Sequence, residues 1–297
     1  MIHPLLQTYG PFDGWMILLI MASVSIGFFT YQVQKATRLV MIGSPDSRFD
    51  SWGPRIREFI VGWLGQKKVL RDRVAGTMHV LMFWGFLMLA SDMLDLATAN
   101  YFSGELLPEL IVGPWNGMVE LGYTMALIGC VAALVRRVAF TPEKLKGKSQ
   151  LEGNAILLLI FTITTTSFMI ESKEDPSPFW EPIGHQFSEM GLSDGTVVVS
   201  YWLHMLAISV FLFLIPLSKH MHLVMAVPNV FFHDTGPAAK MRPLALGDDG
   251  KAVPLEDLDI DSFGVSSYTQ FTWRQLIDGW SCTSCARCQD VCPAYAS

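Results

Sequence analysis

Five stretches of the chain contain no Asp, Glu, Lys or Arg and are predominantly apolar: 14–34, 74–91, 121–135, 153–170 and 195–218. A helix rises 1.5 Å per residue, so a hydrocarbon core of roughly 30 Å needs about 20 residues. The first and last stretches meet that length outright, and the second and fourth meet it with their flanks. The third reaches it only by including Trp115 to Val119, which brings Glu120 into or beside the span. A carboxylate at that depth is costly unless it faces protein, water or a headgroup. Beyond Ser218 the pattern changes. An aromatic turn (Pro228 to Phe232) leads into a Pro/Gly/Asp-rich stretch and then a short polar helix that runs into four cysteines. The pattern predicts an all-α membrane protein: a five-span bundle over 1–230, a linker over 231–265, and a cytoplasmic ferredoxin-like 4Fe-4S tail over 266–297.

Composition agrees with a bilayer: hydrophobic residues make up 51% and charged residues only 16%, against about 25% charged in soluble domains. The net charge of -6 gives no basic field for nucleic acid. Of the 21 Lys and Arg, all but Lys173 fall in 35–73, 136–148 and 219–287. The positive-inside rule then puts the loops after spans one, three and five in the cytoplasm and the N-terminus outside, in a multi-pass cell-membrane protein. Nothing basic precedes the first stretch, and Asp13 stands at its start, so it reads as a retained helix rather than a secretory signal. The acidic run Glu256, Asp257, Asp259, Asp261 reads as a solvated linker before it reads as a docking site.

Three histidines stand in or at the ends of spans. His204 and His222 are 18 residues apart, five turns of an uninterrupted helix, which would place them on one face about 27 Å apart. His220 would face elsewhere. His79 follows Arg73 at the cytoplasmic end of span two, the end at which His222 closes span five. An imidazole in hydrocarbon needs a partner: an interhelical hydrogen bond, or a metal such as haem iron held edge-on between helices. The pattern predicts haem b between His79 and His222. A second haem at His204 lacks an evident opposite ligand, since Leu89 and Ala90 stand where one is needed; His185 and Met93 are the candidates. Quinone would bind near the outer ends of the spans, where Asp92, Asp95, Glu120 and His204 gather. Ordinary interfacial anchoring is the alternative for each of those carboxylates.

Cys282, Cys285, Cys288 and Cys292-Pro293 have the C-x2-C-x2-C-x3-C-P spacing of a bacterial ferredoxin. Zinc prefers separated C-x2-C pairs, and a cytoplasmic tail disfavours disulfides. The fourth cysteine of such a run normally serves a second cluster. The spacing therefore predicts either one cluster on all four thiolates or a chain continuing past Ser297, and the second is favoured. Cys130, in span three, reads as a small buried residue.

Residues His204-Met205-Leu206, Pro216-Leu217-Ser218-Lys219, His222 and Pro228 resemble the last helix of the gamma subunit of respiratory nitrate reductase, a di-haem cytochrome b that exchanges electrons with quinone. The resemblance spans roughly residues 15–230. It implies haem ligation by His204 and His222, matches His79 to the inner ligand of the second helix, and departs from the family at Leu89. Phe271 to Gly279, leading into the cysteines, is similar to heterodisulfide-reductase-like (CCG family) iron-sulfur proteins. Fusions of the two, such as membrane-bound electron-transfer flavoprotein:menaquinone oxidoreductase-like proteins, imply electron flow between a soluble donor and menaquinone. The expected partners are membrane lipid, quinone and a cytoplasmic electron-transfer flavoprotein or iron-sulfur/CCG reductase module. Flow in the reverse direction, as a quinol-oxidising subunit feeding a heterodisulfide- or nitrate-type reductase, is the alternative. A redox sensor or transporter with a structural cluster is the alternative from another class, weakened by the lack of inverted repeats.

Overall fold

The computed structural model describes residues 3–102, 109–140, 148–236, 256, 267–285, 287–290 and 292–296. A two-residue hairpin pair (β1, Thr8–Tyr9; β2, Phe12–Asp13) opens the chain, and helices follow: α1 (Gly14–Val40), α2 (Trp52–Glu58) continued by a π-helical stretch Phe59–Leu64, α3 (Arg73–Phe102), α4 (Glu109–Ala139), α5 (Lys148–Glu171), α6 (Pro182–Glu189), α7 (Asp194–Leu217), α8 (His222–Phe231) and α9 (Trp273–Ser281). Five of these, α1, α3, α4, α5 and α7, are long and apolar enough to cross a membrane. Large apolar side chains on them, such as Leu19, Val24, Ile128, Leu158 and Val199, face outward, as lipid-exposed helices require.

The chain divides into two compact units: one of residues 1–30, 66–218 and 285–297, the other of 31–65 and 219–284. In the first, α3 and α4 touch backbone to backbone. A Cβ on Gly85 would stand 2.7 Å from the Gly122 carbonyl oxygen, and one on Gly129 would stand 2.8 Å from the Met78 carbonyl oxygen. Lipid provides no hydrophobic drive between helices, so small residues that allow close approach set the pairing. On the other side of α4, the buried Cys130 thiol donates to the Leu157 carbonyl of α5 at 2.9 Å. Phe213 of α7 packs on Phe28 of α1, and Phe211 of α7 on Phe86 of α3.

The second unit gathers the end of α1, the α2 segment, α8 and α9. Ala36, Val40, Met221, Met225 and Ile277 form its core. A capping box starts α9: the Gln275 N–H donates to Thr272 Oγ1 and the Thr272 N–H to Gln275 Oε1. Trp273 Nε1–H donates to the Asp46 carbonyl at 2.8 Å, and Ser44 pairs with the strand-like backbone at Thr272. The polar run leading into the cysteines is therefore a packed element of this unit.

One expectation is overturned. The last span does not run unbroken to His222: α7 ends at Leu217, Ser218 is extended (φ -130°, ψ 175°), and Lys219–Met221 forms a 3-10 turn before α8 begins. Pro216, which lacks an amide hydrogen, lies in the last turn before this break. The 18-residue spacing consequently does not place His204 and His222 on one face of one helix.

Candidate functional site

His222 opens α8, and its Nδ1 lies 2.7 Å from the Lys219 carbonyl oxygen. A carbonyl only accepts, so Nδ1 carries the proton and Nε2 of the neutral ring keeps its lone pair. Burial pushes the imidazole below its ordinary pKa; the bond to the Lys219 carbonyl works the other way, and the Lys219 charge adds to the depression. That is the state in which imidazole ligates a metal, with the remote N–H held by a backbone carbonyl. His220 stands in the preceding 3-10 turn with its ring 6.0 Å from that of His222. His79, in the other unit, stacks on Phe83 one turn along α3.

His204 is buried between α7 and α5. Its Nδ1 lies 3.1 Å from the Ile163 carbonyl oxygen and 3.0 Å from Thr166 Oγ1. The same reasoning fixes the proton on Nδ1, so this ring is an interhelical tether whose Nε2 keeps its lone pair. Leu89 packs against the Val119, Tyr123 and Phe168 cluster, so an apolar contact occupies the position where the resemblance has a ligand. His185 lies on α6 with Nε2 3.8 Å from Glu189 Oε1, an ordinary i,i+4 pair.

Glu120 is 4% exposed. Its Oε1 accepts from the Ile183 N–H at 3.0 Å and its Oε2 from the Gly184 N–H at 2.8 Å. These are the second and third residues of α6, so a carboxylate from α4 meets the positive end of that helix. A Cβ on Gly184 would stand 3.2 Å from Glu120 Oε2, so a larger residue there would push on the carboxylate. Ile183 and Phe187 bring the apolar face of α6 onto Val119, Tyr123 and Phe168. The cost expected of a buried carboxylate is thus met by backbone donors. Glu120→Ala leaves two donors unmet at about 1–3 kcal/mol each. It is expected to lower the thermal midpoint and expose 172–194 to protease while leaving purified cofactor content unchanged; intact protease resistance counts against the capping role. The side chain of Asp92, the other carboxylate candidate, lies outside the described residues, as does that of Asp95.

Sequence reasoning missed a cleft of about 240 Å³ lined by His3, Pro4, Ile170, Lys173, Glu174, Asp194, Val197 and Tyr201. Val197, Tyr201 and His204 fall at i, i+4 and i+7 of α7, so the cleft opens on the helix face that carries His204. That spacing was the available signal. Lys173 Nζ pairs with Asp194 Oδ1 at 3.2 Å across the cleft, and the His3 ring meets Tyr201 edge-on at 5.4 Å.

At the cysteines, Ser281 ends α9 with its hydroxyl donating to the Met225 carbonyl of α8 at 3.0 Å. Cys282 is extended, Ser284 takes a left-handed φ of 52°, and the Ser284 N–H lies 3.5 Å from Cys282 Sγ. A tight turn with an amide aimed at the preceding cysteine sulfur suits a thiolate that ligates a cluster. Cys282, Cys285 and Cys288 are exposed, Cys292 is partly buried, and all four are free thiols. Among the described residues no three His, Cys, Asp or Glu side chains form a ready metal set.

The chain is 26% identical over 294 residues to a probable iron-sulfur-binding oxidoreductase of Bacillus subtilis, FadF. It is 27% identical over 303 residues to the EtfAB:quinone oxidoreductase of Syntrophomonas wolfei. These alignments take in 94% and 95% of this chain but 40% of each relative, so the chain spans about two fifths of the length of either. A stretch of 55 residues, 17% of the chain, is 40% identical to a probable membrane-anchored ferredoxin of Chromohalobacter salexigens and takes in 8% of that protein. No family model matches the chain, and no solved structure does.

Proposed function

We propose that the chain is the membrane electron-transfer part of a quinone-linked iron-sulfur oxidoreductase. Cys282, Cys285, Cys288 and Cys292 hold a [4Fe-4S] cluster on the cytoplasmic side, and His79 and His222 hold b-type haem. Electrons move between a soluble partner, an electron-transfer flavoprotein or an iron-sulfur/CCG module, and the (mena)quinone pool. The observation that carries this reading is the docking of α9 on α8: Ser281 bonds Met225, three residues from His222, so the residue before the first cluster cysteine is fixed to the helix of the haem ligand. The names of the two long relatives, one iron-sulfur-binding and one EtfAB:quinone, support it. Haem held by these residues would supply a one-electron relay. A second haem would use His204, with His185 or Met93 as its other ligand. The packing of Leu89 favours a single haem.

For the quinone we assign the Tyr201 cleft, on the outside by the positive-inside orientation, in place of Glu120, whose oxygens are already engaged. Its volume falls below the roughly 300 Å³ at which sites enclose whole drug-sized ligands, which suits the polar edge of a headgroup with its tail in lipid. The Tyr201 hydroxyl and the Lys173 ammonium are donors for a quinone carbonyl. Anaerobically purified protein is expected to contain iron and acid-labile sulfide for at least one cubane, to give a pyridine haemochrome of the b type, and to show haem reduction by a menaquinol analogue. Tyr201→Phe is expected to slow that reduction with haem content intact. Protein with zinc and no iron, or without haemochrome, overturns the cofactor assignment, and unchanged quinol kinetics in Tyr201→Phe overturn the cleft.

A further inference from the structure

Between α1 and α3 lies a segment that none of the redox chemistry uses. Residues 52–64 form one continuous helical piece, α2 with its π-helical continuation. One side is fastened. Arg55, 1% exposed, donates to the Asp50 carbonyl at 2.7 Å, to Asp50 Oδ1 at 2.7 Å, to the His233 carbonyl at 2.8 Å and to the Phe231 carbonyl at 3.3 Å. Phe59 stacks on Trp63 and meets Phe231 at 6.0 Å. The guanidinium thus satisfies carbonyls at the end of α8 that the helix leaves unpaired.

The other side is only partly covered by the described residues: Trp52 meets Phe231 edge-on at 5.7 Å and Phe49 meets Phe232 at 5.6 Å. Trp52, Ile56 and Ile60, spaced four apart, are 52%, 47% and 52% exposed, and Val61 and Phe49 are exposed beside them. Such a stripe is uncommon on a water-facing surface. Its setting is basic: Lys and Arg outnumber Asp and Glu six to two between 52 and 73, and Arg57, Lys67, Lys68, Arg71 and Arg73 are all exposed. Both neighbouring helices are long and apolar enough to span, so the segment joining them lies at one membrane face. Trp and Ile on one side with Lys and Arg around them is the pattern of a helix lying in the headgroup region of an anionic leaflet.

We propose that residues 52–64 form an interfacial helix seated in the anionic lipid of the leaflet on the basic side, with the Trp52, Ile56 and Ile60 stripe facing the acyl boundary. Through Arg55 and Phe59 it ties α8, and with it the start of the cysteine loop, to the membrane surface. The occupant is lipid rather than a second copy because the segment joins two helices long and apolar enough to span and its surrounding charge matches anionic headgroups. The inference does not depend on the haem or quinone assignment.

The test uses the full chain in nanodiscs with p-benzoylphenylalanine at position 60, and at position 24, exposed on α1, as the lipid-facing reference. Photolysis is expected to give phospholipid adducts at position 60 in yield comparable to position 24. The yield at 60 is expected to fall several-fold when phosphatidylglycerol is replaced by phosphatidylcholine, while position 24 stays unchanged. Adducts to a second copy or to another protein, or no adduct at 60, overturn the proposal. A yield at 60 indifferent to lipid charge overturns the assignment to anionic lipid.

Discussion

Cys285→Ser is expected to remove the cubane cluster completely: iron and acid-labile sulfide attributable to it fall to background, and its reduced-state EPR signal disappears. Serine is close in size but presents a hard oxygen with a high pKa, which replaces a soft thiolate poorly at iron-sulfur clusters. The fold should survive. α9 is held by its own capping box, by Ile277 in the core with Met221 and Met225, and by the Trp273 bond to Asp46, none of which involves a cysteine. Helix content by circular dichroism and the b-haem spectrum are therefore expected to match the parent protein, while electron transfer through the cluster is lost. An EPR signal that persists in Cys285→Ser, or zinc in place of iron in the parent, sinks the assignment.

The five spans were legible because a helix in lipid needs only length and apolarity, and both are written locally: each charge-free stretch lies within one of α1, α3, α4, α5 and α7, apart from Ser218 at the end of the last. The partners of those helices were less legible. Gly85, Gly122 and Gly129 look like ordinary residues of apolar runs until α3 and α4 are placed in contact. Glu120 was visible as a costly carboxylate, but its acceptors' partners, the Ile183 and Gly184 amides, are more than 60 residues away in a loop that gave no helix signal. The Ser218 break was hidden for a different reason. Pro216 is tolerated in membrane helices, so the counting of turns ran straight through it. Residues 52–64 escaped notice because their pattern is neither long enough for a span nor polar enough for a loop. For the site, the cysteine run was readable from spacing alone. The Tyr201 cleft needed α5, α7 and the N-terminal turn together, since His3, Lys173 and Tyr201 are remote in sequence.

That break changes the grounds on which the haem ligand is chosen, and with them the sharpest test. His220 and His222 can no longer be told apart by opposite faces of one long helix, since they stand on either side of a junction between a 3-10 turn and α8, with rings 6.0 Å apart. What distinguishes His222 is its backbone bond: Nδ1–H held at 2.7 Å by the Lys219 carbonyl, which orients the ring and leaves the lone pair on Nε2, as a metal ligand needs. His222→Ala is expected to abolish the b-type haemochrome while cluster iron is retained, because α9 docks through Ile277 on Met221 and Met225, and through Ser281 on the Met225 carbonyl, rather than on the imidazole. His79→Ala is expected to do the same, and His220→Ala to keep the haem. His204→Ala should behave differently again: it removes a tether to Ile163 and Thr166 worth about 1 kcal/mol in a membrane bundle. It should shift the thermal midpoint slightly and leave haem content at the parent level. Haem lost in His220→Ala and kept in His222→Ala would overturn the ligand choice, and a parent with two haems that falls to one in His204→Ala would establish His204 as a ligand of the second.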